Sequence, residues 1–471
     1  MKTLFLIAFS CLSLNAQIPA SPNEQQILHF LSHTTSGIQT NDLQKIHTIG
    51  VSSYLRQQLD AEAIPPSARL SNALSSLESN DLNVTEMYAR YFPGNLSKAD
   101  AEQKKSFNQL KQRIGREAMQ AKLYRSLYSD AQLAEVMDDF WFNHFNVFWQ
   151  KAFNPMLIGA YDRDAIRPYV LGRFRDMLGA VAKHPAMLIY LDNRLSVKDN
   201  PSNGKGLNEN YAREVMELHT LGVGNYTQKD VTELARIFTG WGISPQSGFR
   251  FSPNTHDSGE KFFLGYRFPA GGMEEEGERA LDILAASPIT AHRISEKLCA
   301  YFVADTPPET LVKRITQIFL KTDGNIKECV RTILESDEFW DEKNFNTKFK
   351  NPYRYVMSAL RQTNADIDNP GPIIGVLNRM GMPIYGRLTP DGYPNGSDSW
   401  MSPSAMQLRI DFATVLGHEK FQGCTGGCKI DLDALRGGIG PLQKNLVDAV
   451  RSNPSGMEAT LLLASPQMMM Y

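Results

Sequence analysis

The chain has 471 residues, of which 42% are hydrophobic, so it can bury a large core in one domain or in two to three lobes. Its 49 basic and 51 acidic residues leave a formal net charge of -2. This balance argues against nucleic acid and anionic membranes as partners, because both select a basic surface. After the first residues, no apolar run reaches the roughly 18 residues that a membrane-spanning helix requires.

The first residues have the pattern of an export signal. Met1 and Lys2 precede an apolar stretch that ends in mostly small residues at Ala16. We expect cleavage near Ala16 and a secreted or periplasmic product, 17–471, forming a single large domain. Its lobes are expected to cover 17–200, 205–365 and 366–471. A lipoprotein anchored at Cys11 is the alternative, although the residues before Cys11 match an acylation motif poorly.

An aromatic-rich helix is predicted from Ser129 to about Gln150. Ser129, followed three residues later by Gln132, has the spacing of a capping box. Its apolar stripe contains Leu133, Met137, Phe140, His144, Val147 and Phe148, and its polar face contains Asp139, Asn143, Asn146 and Gln150. That polar face either meets water, or lines a cleft in which aromatic rings between Phe140 and Trp149 stack on sugars and the polar groups bind hydroxyls.

Two helices are predicted between Asn208 and Trp241. The first runs to Thr220 and stops at Gly222, because glycine readily takes the left-handed conformation past a helix end. The second begins behind Thr227, whose hydroxyl can cap the first turn, and ends near Gly240. The connection is short, so we expect an antiparallel pair.

The first of these helices carries most of the candidate chemistry. Arg213, Glu214 and Glu217 share one face, whereas His219 points with the apolar residues. One interpretation is a solvated face in which Arg213 pairs with Glu217 and His219 is a core residue. The other is a pair of inward-facing carboxylates oriented by Arg213. No metal site is predicted, because no His and Glu pair lies on one face.

A turn-rich segment follows Trp241 and continues until about Glu274, with at most one short β-hairpin expected. Within it, His256 is expected to be exposed in a turn, and it is a candidate general acid or base, because histidine titrates near neutral pH. Asp257 is its candidate partner, and Lys261 is a candidate ligand-binding residue. The alternative is an Asx-type turn in which Asp257 caps the loop. The helices predicted from Glu274 to Thr363 are interpreted as scaffold.

The last part of the chain contains a long loop and a cysteine pair. Asp391 and Trp400 are candidates for one side of a cleft, although Pro390-Asp391-Gly392 is also a turn sequence. Cys424 and Cys428 are predicted to form a disulfide in an oxidising compartment, with two free thiols as the alternative. Zinc is not expected, because no second Cys or His pair follows.

Several of these segments together resemble one family. The sequence is similar to the domain of unknown function 1800 family, a large group of bacterial proteins that are mostly exported. The resemblance implies a largely helical fold, but it implies no reaction and no catalytic residues. The motifs that carry it are Asn208–Glu214, Glu217–Gly222, Tyr226–Gln228, Gly240–Trp241, Phe140–Phe145, His256–Lys261, Phe302–Asp305, Pro307–Pro308 and Pro390–Pro394.

Three functions are compatible with a mainly α exported chain of this kind. The first is an enzyme acting on a polysaccharide or a related extracellular polymer by carboxylate or histidine acid/base chemistry. The second is a non-catalytic export or assembly factor, because genes of the resembling family often lie beside those of another exported family. The third is a metal or haem enzyme, for which no ligand cluster is found; cofactors stay open. The candidate residues are Glu214, Glu217, His256 and Asp257 for catalysis and Asn143, His144, Arg213, Lys261, Asp391 and Trp400 for substrate binding.

Overall fold

The computed structural model describes residues 18–92, 99–198 and 206–471. The predicted export signal lies outside these ranges. Within them the chain is mainly α-helical, as the sequence predicted, and no helix is long and apolar enough to cross a membrane.

The helices and strands are numbered in chain order. The α-helices are α1 (Glu24–Thr34), α2 (Thr40–Ile49), α3 (Val51–Leu59), α4 (Ala68–Ser75), α5 (Val84–Tyr91), α6 (Ala101–Tyr128), α7 (Gln132–His144), α8 (Asn154–Ala160), α9 (Phe174–Lys183), α10 (Pro185–Tyr190), α11 (Glu209–Glu214), α12 (Gln228–Ile237), α13 (Glu274–Ala285), α14 (Pro288–Phe302), α15 (Glu309–Lys321), α16 (Ile326–Leu334), α17 (Asp337–Trp340), α18 (Pro352–Gln362), α19 (Gly371–Arg379), α20 (Pro403–Gly417), α21 (Leu432–Ile439), α22 (Lys444–Ser452), α23 (Glu458–Leu463) and α24 (Pro466–Met469). The strands are β1 (Trp241–Ser244), β2 (Gly248–Phe251), β3 (Lys261–Phe263) and β4 (Tyr266–Phe268), and two π-helical segments cover Tyr161–Ile166 and Val215–His219.

The four strands form two antiparallel hairpins, where at most one was predicted. Strand β1 pairs with β2, and β3 pairs with β4, as two separate sheets. The second hairpin turns at Leu264 and Gly265, which both have positive φ (48° and 82°). Two such residues give the type I′ geometry that suits the twist of a tight hairpin. The sequence signal was weak because leucine rarely takes the first of these positions.

The aromatic helix α7 is shorter than predicted, since it ends at His144 and not near Gln150. Ser129 does not cap it; the residue before its first turn is Ala131. Beyond the helix, the side chain of Asn146 donates to the carbonyls of Arg387 and Thr389 at 3.0 and 2.8 Å. The segment after His144 therefore bonds to a distant loop and does not continue the helix. The local sequence pattern could not predict this, because the loop is more than 200 residues away.

One continuous hydrophobic core joins the described parts of the chain. It begins at Ile27 in α1 and continues to Met469 in α24. The aromatic side chains of Phe140, Trp141 and Phe145 are at its centre, with 0 to 3% of their surface exposed. The last residues of the chain are joined to the segment before α18 by an antiparallel bridge between Phe349 and Met470.

A buried ionic network lies within this core and connects α6, α7 and the segment after α8. The ammonium of Lys122 lies 2.6 Å from Asp138 and 3.9 Å from Asp162. Arg167 pairs with Glu135 and lies 3.4 Å from Asp138. Three carboxyls therefore face two cations. Burial raises the pKa of Asp138, although Arg167 opposes the shift, so this carboxyl is the one that holds a proton most readily.

Candidate functional site

The helix pair predicted between Asn208 and Trp241 is present. Asn208 accepts a hydrogen bond from the amide of Tyr211 at 3.2 Å, and Thr227 forms a capping box with Asp230. Gly222 follows the first helix with a φ of 87°. The predicted caps are therefore confirmed, and they place α11 against α12.

The first helix changes from α to π geometry at Val215, and this was not predicted. The π-helical turn covers Val215–His219, and such turns are frequent at functional sites. The predicted faces are retained: His219 is buried, whereas Glu214 and Glu217 are half-buried. Two carboxylates thus lie on the side of the π turn that water can reach.

Glu214 has the environment of a proton donor. Burial raises the pKa of its carboxyl, the charge of Glu217 adds to the increase, and the nearby Arg213 only partly opposes it. The carboxylate of Asp391 also contributes to the increase, so the two groups lie close enough to interact. Within the described part of the chain, the side chain of Glu214 accepts no hydrogen bond that would hold it in its ionised form.

Glu217 and Arg213 do not form the predicted ion pair. The hydroxyl of Tyr226 donates to Glu217 Oε2, whereas the guanidinium of Arg213 donates to Gln228 at 2.8 Å. Glu217 therefore bonds to the loop before α12, and Arg213 bonds to the first residue of α12. These partners take the place of the i, i+4 ion pair. Glu217 is held as an acceptor beside Glu214.

The pKa of Asp391 is shifted in the opposite direction to that of Glu214. Partial burial alone would raise the pKa of its carboxyl, but hydrogen bonds from Arg387 and Thr389 outweigh burial and lower the pKa. Arg387 donates to it at 3.2 and 2.8 Å and Thr389 at 2.5 Å. These bonds favour the carboxylate form over the acid.

The loop that carries Asp391 is fixed to the end of α7. Asn143 accepts from the amide of Tyr393 at 2.6 Å and donates to its carbonyl at 2.9 Å. Gly392 has a φ of 75°, and a Cβ there would lie 2.2 Å from the carbonyl oxygen of Asn143, so only glycine fits. The side chain of Asn143 therefore positions the loop, and its predicted role in substrate binding is not supported by a free polar group.

Trp400 supports the same loop from below. Its indole donates to the carbonyl of Pro394 at 2.9 Å, and its ring centre lies 6.2 Å from that of Tyr393. Only 8% of its surface is exposed. Trp400 therefore packs against the loop, and little of its ring is left for a ligand.

His144 connects α7 to the π turn and to α14. Its Nε2 donates to the carbonyl of His219 at 3.1 Å, so its Nδ1 is the acceptor, and Lys297 donates to Nδ1 at 3.0 Å. Burial lowers the pKa of His144 well below its usual range, and the charge of Lys297 lowers it further. His144 is therefore neutral and holds the ammonium of Lys297 in place.

His256, Asp257 and Lys261 form a separate cluster. His256 is 2% exposed; its Nδ1 lies 2.8 Å from the carbonyl of Thr239, and its Nε2 lies 3.3 Å from Glu276 without hydrogen-bond geometry. Lys261 is buried and donates to Glu276 at 2.6 Å. The expectation that His256 is exposed in a turn is wrong, because α13 and the segment before β1 cover it.

Asp257 in this cluster forms an ion pair with Arg236 at 2.8 Å and accepts from the amide of Gly259 at 2.8 Å. This is the Asx-type turn that was one of the two interpretations. The catalytic roles of His256 and Asp257 stay predictions, but both residues are engaged in structural contacts and neither contributes to the pKa of Glu214.

The polar face of α7 lines a cavity, as one interpretation proposed, but the cavity is small. Asp139, Asn143 and Asn146 face Tyr353 and Tyr385 across about 30 Å³, which holds one or two water molecules and no sugar ring. The neighbouring aromatic rings of α7 are buried in the core and cannot stack on a ligand.

Two further expectations concern metals and cysteines. In the residues that the structure describes, no group of three or more His, Cys, Asp or Glu side chains could hold a metal ion. Cys424 and Cys428 are joined by a disulfide, and Cys299 and Cys329 are buried free thiols.

Arg293 and Lys297 were not predicted from the sequence, because they lie in a run of amphipathic helices that was interpreted as scaffold. Their i, i+4 spacing would place two cations on one helix face, which is unfavourable unless something compensates it. The i, i+4 spacing of these two cations was the sequence feature that could have identified them as candidate site residues.

Nearly the whole chain matches one known family, in agreement with the single core that extends from Ile27 to Met469. The sequence model of the family described as protein of unknown function (DUF1800) matches residues 29–470. The chain belongs to the DUF1800 family. The DUF1800 match runs from α1 to the end of the core, so it includes both Glu214 and Asp391. No curated protein and no solved structure matches the chain.

Proposed function

We propose that this DUF1800 protein is an exported enzyme that acts on a polysaccharide or a related extracellular polymer, with Glu214 as general acid and Asp391 as general base. The observation that carries the proposal is the opposite shift of two interacting carboxyls. Burial raises the pKa of Glu214, whereas hydrogen bonds from Arg387 and Thr389 lower that of Asp391. Pairs of titratable groups with separated pKa values are the usual acid/base assignments of active sites.

The two carboxyls come from different segments, as the chemistry requires. Residues three apart on one helix, such as Glu214 and Glu217, are poorly placed to act on opposite sides of one bond. Asp391 comes from a loop that Asn143 and Tyr190 hold against the core; the hydroxyl of Tyr190 donates to Leu388 at 2.8 Å. The proposed acid and base therefore come from two separate segments, the helix before the π turn and the loop.

Glycosidic oxygens are suitable targets for this pair. A protonated carboxyl can donate to a leaving oxygen while a carboxylate accepts a proton from water or from carbon. Both hydrolysis and elimination use these two roles. The predicted export signal, which would place the protein among extracellular polymers, supports the same class of substrate.

The proposal is tested by incubating the purified protein with a panel of neutral, uronic-acid and sulfated polysaccharides. New reducing ends report either cleavage reaction, and absorbance of an unsaturated sugar end identifies elimination. We expect cleavage of at least one polymer by the wild-type chain and none by the folded Glu214→Gln/Asp391→Asn variant. No cleavage of any polymer, or equal cleavage by both proteins, would refute the proposed function.

The pH profile of this activity should depend on Glu217. The general acid must be protonated and the general base ionised, so activity falls below the lowered pKa of Asp391 and above the raised pKa of Glu214. Glu217→Gln removes a negative charge that contributes to raising the pKa of Glu214, so the alkaline limb of kcat against pH should move to lower pH.

A matched control is Glu102→Gln on the exposed first turn of α6, because Glu102 does not contribute to the pKa of Glu214. Its pH profile should overlay that of the wild-type protein. An alkaline limb that stays in place in Glu217→Gln, or that moves upward, would contradict the assignment of Glu214 as the acid.

A further inference from the structure

An open cleft lies beside the end of the π turn, where Arg293 bonds the carbonyls of Glu217 and Leu218. Its volume is about 640 Å³, which is in the range of small-molecule sites. The residues that line it include Gly222, Asn225, His292, Arg293, Glu296 and Lys297. Gly222 packs closely against Arg293: a Cβ at that position would lie 2.5 Å from Nη1 of the guanidinium, so the arginine side chain would have to move.

Two half-buried cations face this cleft without a carboxylate partner. Arg293 donates to the backbone carbonyls of Glu217 and Leu218, and Lys297 donates to His144. Among the described residues, neither cation has a carboxylate oxygen within ion-pair distance; Glu296 is exposed at the rim. Each cation retains N–H donors that no protein group accepts.

An anionic ligand would stabilise this arrangement. Like charges one helical turn apart repel each other, and cations partly withdrawn from water are favoured by a paired anion. The histidines behind them do not help: His144 is already engaged through both ring nitrogens, and the buried Nε2 of His219 has no partner. Burial lowers the pKa of Lys297 to about 8, with Arg293 adding to the shift, so the ammonium is still charged at neutral pH.

The cations are connected to the helix of the proposed acid through the backbone of the π turn. Arg293 donates to the carbonyl of Glu217, which is three residues from Glu214. The charge of Glu217 raises the pKa of Glu214 and favours the charged form of Arg293. A polymer bound across Glu214 and Asp391 would therefore extend over Arg293 and Lys297 with a neighbouring sugar unit.

We propose that Arg293 and Lys297 form a subsite for the anionic group of an acidic polysaccharide, either a uronate or a sulfated sugar. This inference rests on the proposed function, and it specifies the substrate as a charged polymer. The guanidinium and the ammonium supply donors in the geometry that carboxylates and sulfates accept. Gly222 and Asn225 leave the room in which the sugar ring lies.

Binding can be measured without any turnover. The probes are tetragalacturonate, a sulfated carrageenan tetrasaccharide, fully methyl-esterified tetragalacturonate and neutral cellotetraose, titrated by calorimetry into the Glu214→Gln variant at low salt. We expect one of the two anionic probes to bind much more tightly than both neutral ones. Arg293→Gln and Lys297→Gln, each introduced into the same background, should each weaken that binding about tenfold to a hundredfold, because each removes a charge-assisted hydrogen bond.

Lys313→Gln is the matched control, because Lys313 is an exposed lysine on α15 that pairs only with Glu309 at the surface. It should leave the affinity unchanged. The subsite would be refuted if neither anionic probe bound, if neutral and anionic probes bound equally, or if both charge-removing variants bound like the parent. Comparison of charged and esterified probes needs no variant at the subsite, so a misfolded variant does not decide the result.

The subsite and the proposed function can fail separately. Cleavage of a neutral polymer that depends on Glu214, without binding of either anionic probe, would overturn the subsite alone. Tight binding of an anionic probe that depends on Lys297, with cleavage unaffected by Glu214→Gln, would overturn the acid assignment alone.

Discussion

Replacing Glu214 by glutamine is expected to lower kcat by about 10²- to 10⁴-fold, which is the usual contribution of a positioned general acid. Glutamine preserves the shape of the side chain but has no carboxylic proton to donate to the leaving oxygen. Burial and, after it, the charge of Glu217 raise the pKa of Glu214 and so favour its protonated form, which glutamine cannot replace as a proton donor. The loss should appear in kcat on the polysaccharide that the wild-type protein cleaves.

For hydrolysis, a 4-nitrophenyl glycoside of the same sugar distinguishes loss of the acid from a general loss of structure; for elimination, a uronate carrying 4-nitrophenol at O4 does the same. The phenolate of either substrate leaves without protonation, so Glu214→Gln should retain most of its activity on it. Glu209→Gln on the same helix is the control, because among the described residues its carboxylate bonds only to Gln228 and Thr232; it should change kcat by no more than a few-fold. Equal losses on the polysaccharide and on the nitrophenyl substrate would mean that Glu214 is not the acid.

Replacing Lys122 by methionine should destabilise the fold by about 3–5 kcal/mol, the usual cost of removing one partner from a buried ion pair. The change leaves Asp138 and Asp162 facing each other with only Arg167 for compensation. Methionine fills nearly the same volume, so the cost is electrostatic. Urea-induced unfolding followed by tryptophan fluorescence measures the change.

Two further variants separate charge from packing. Lys105→Met lies on the exposed part of α6 and should change the free energy of unfolding by less than about 0.5 kcal/mol. In Lys122→Met/Asp138→Asn the uncompensated charge is also removed, so much of the lost stability should return. Additive losses in the double variant would show that Lys122 and Asp138 do not interact across the core.

The local signals of the sequence predicted the framework well. Asn208, Gly222 and Thr227 determine where α11, the π turn and α12 begin and end, because capping and positive φ depend on residues close in the chain. Burial of Val215 and His219 followed from periodicity. The π geometry itself was missed, since the same apolar spacing is compatible with either kind of turn.

The candidate site was predicted in part, and the missing part depends on distant contacts. Glu214 was singled out, but its interaction with Asp391 depends on a loop that Asn143 fixes from 250 residues away. His256 was overvalued because its neighbours in sequence suggest an exposed turn, whereas Thr239 and Glu276 enclose it. Lys297 was overlooked because its partner His144 is 153 residues distant.

The long separation between Asn143 and Tyr393 also determines when the site comes into existence. Contacts between residues so far apart form late, because a large loop must close before they contribute. Until that loop docks, Glu214 has no opposing Asp391 carboxylate. A partly folded chain would therefore lack the proposed acid/base pair, and activity from this pair is expected only when folding is complete.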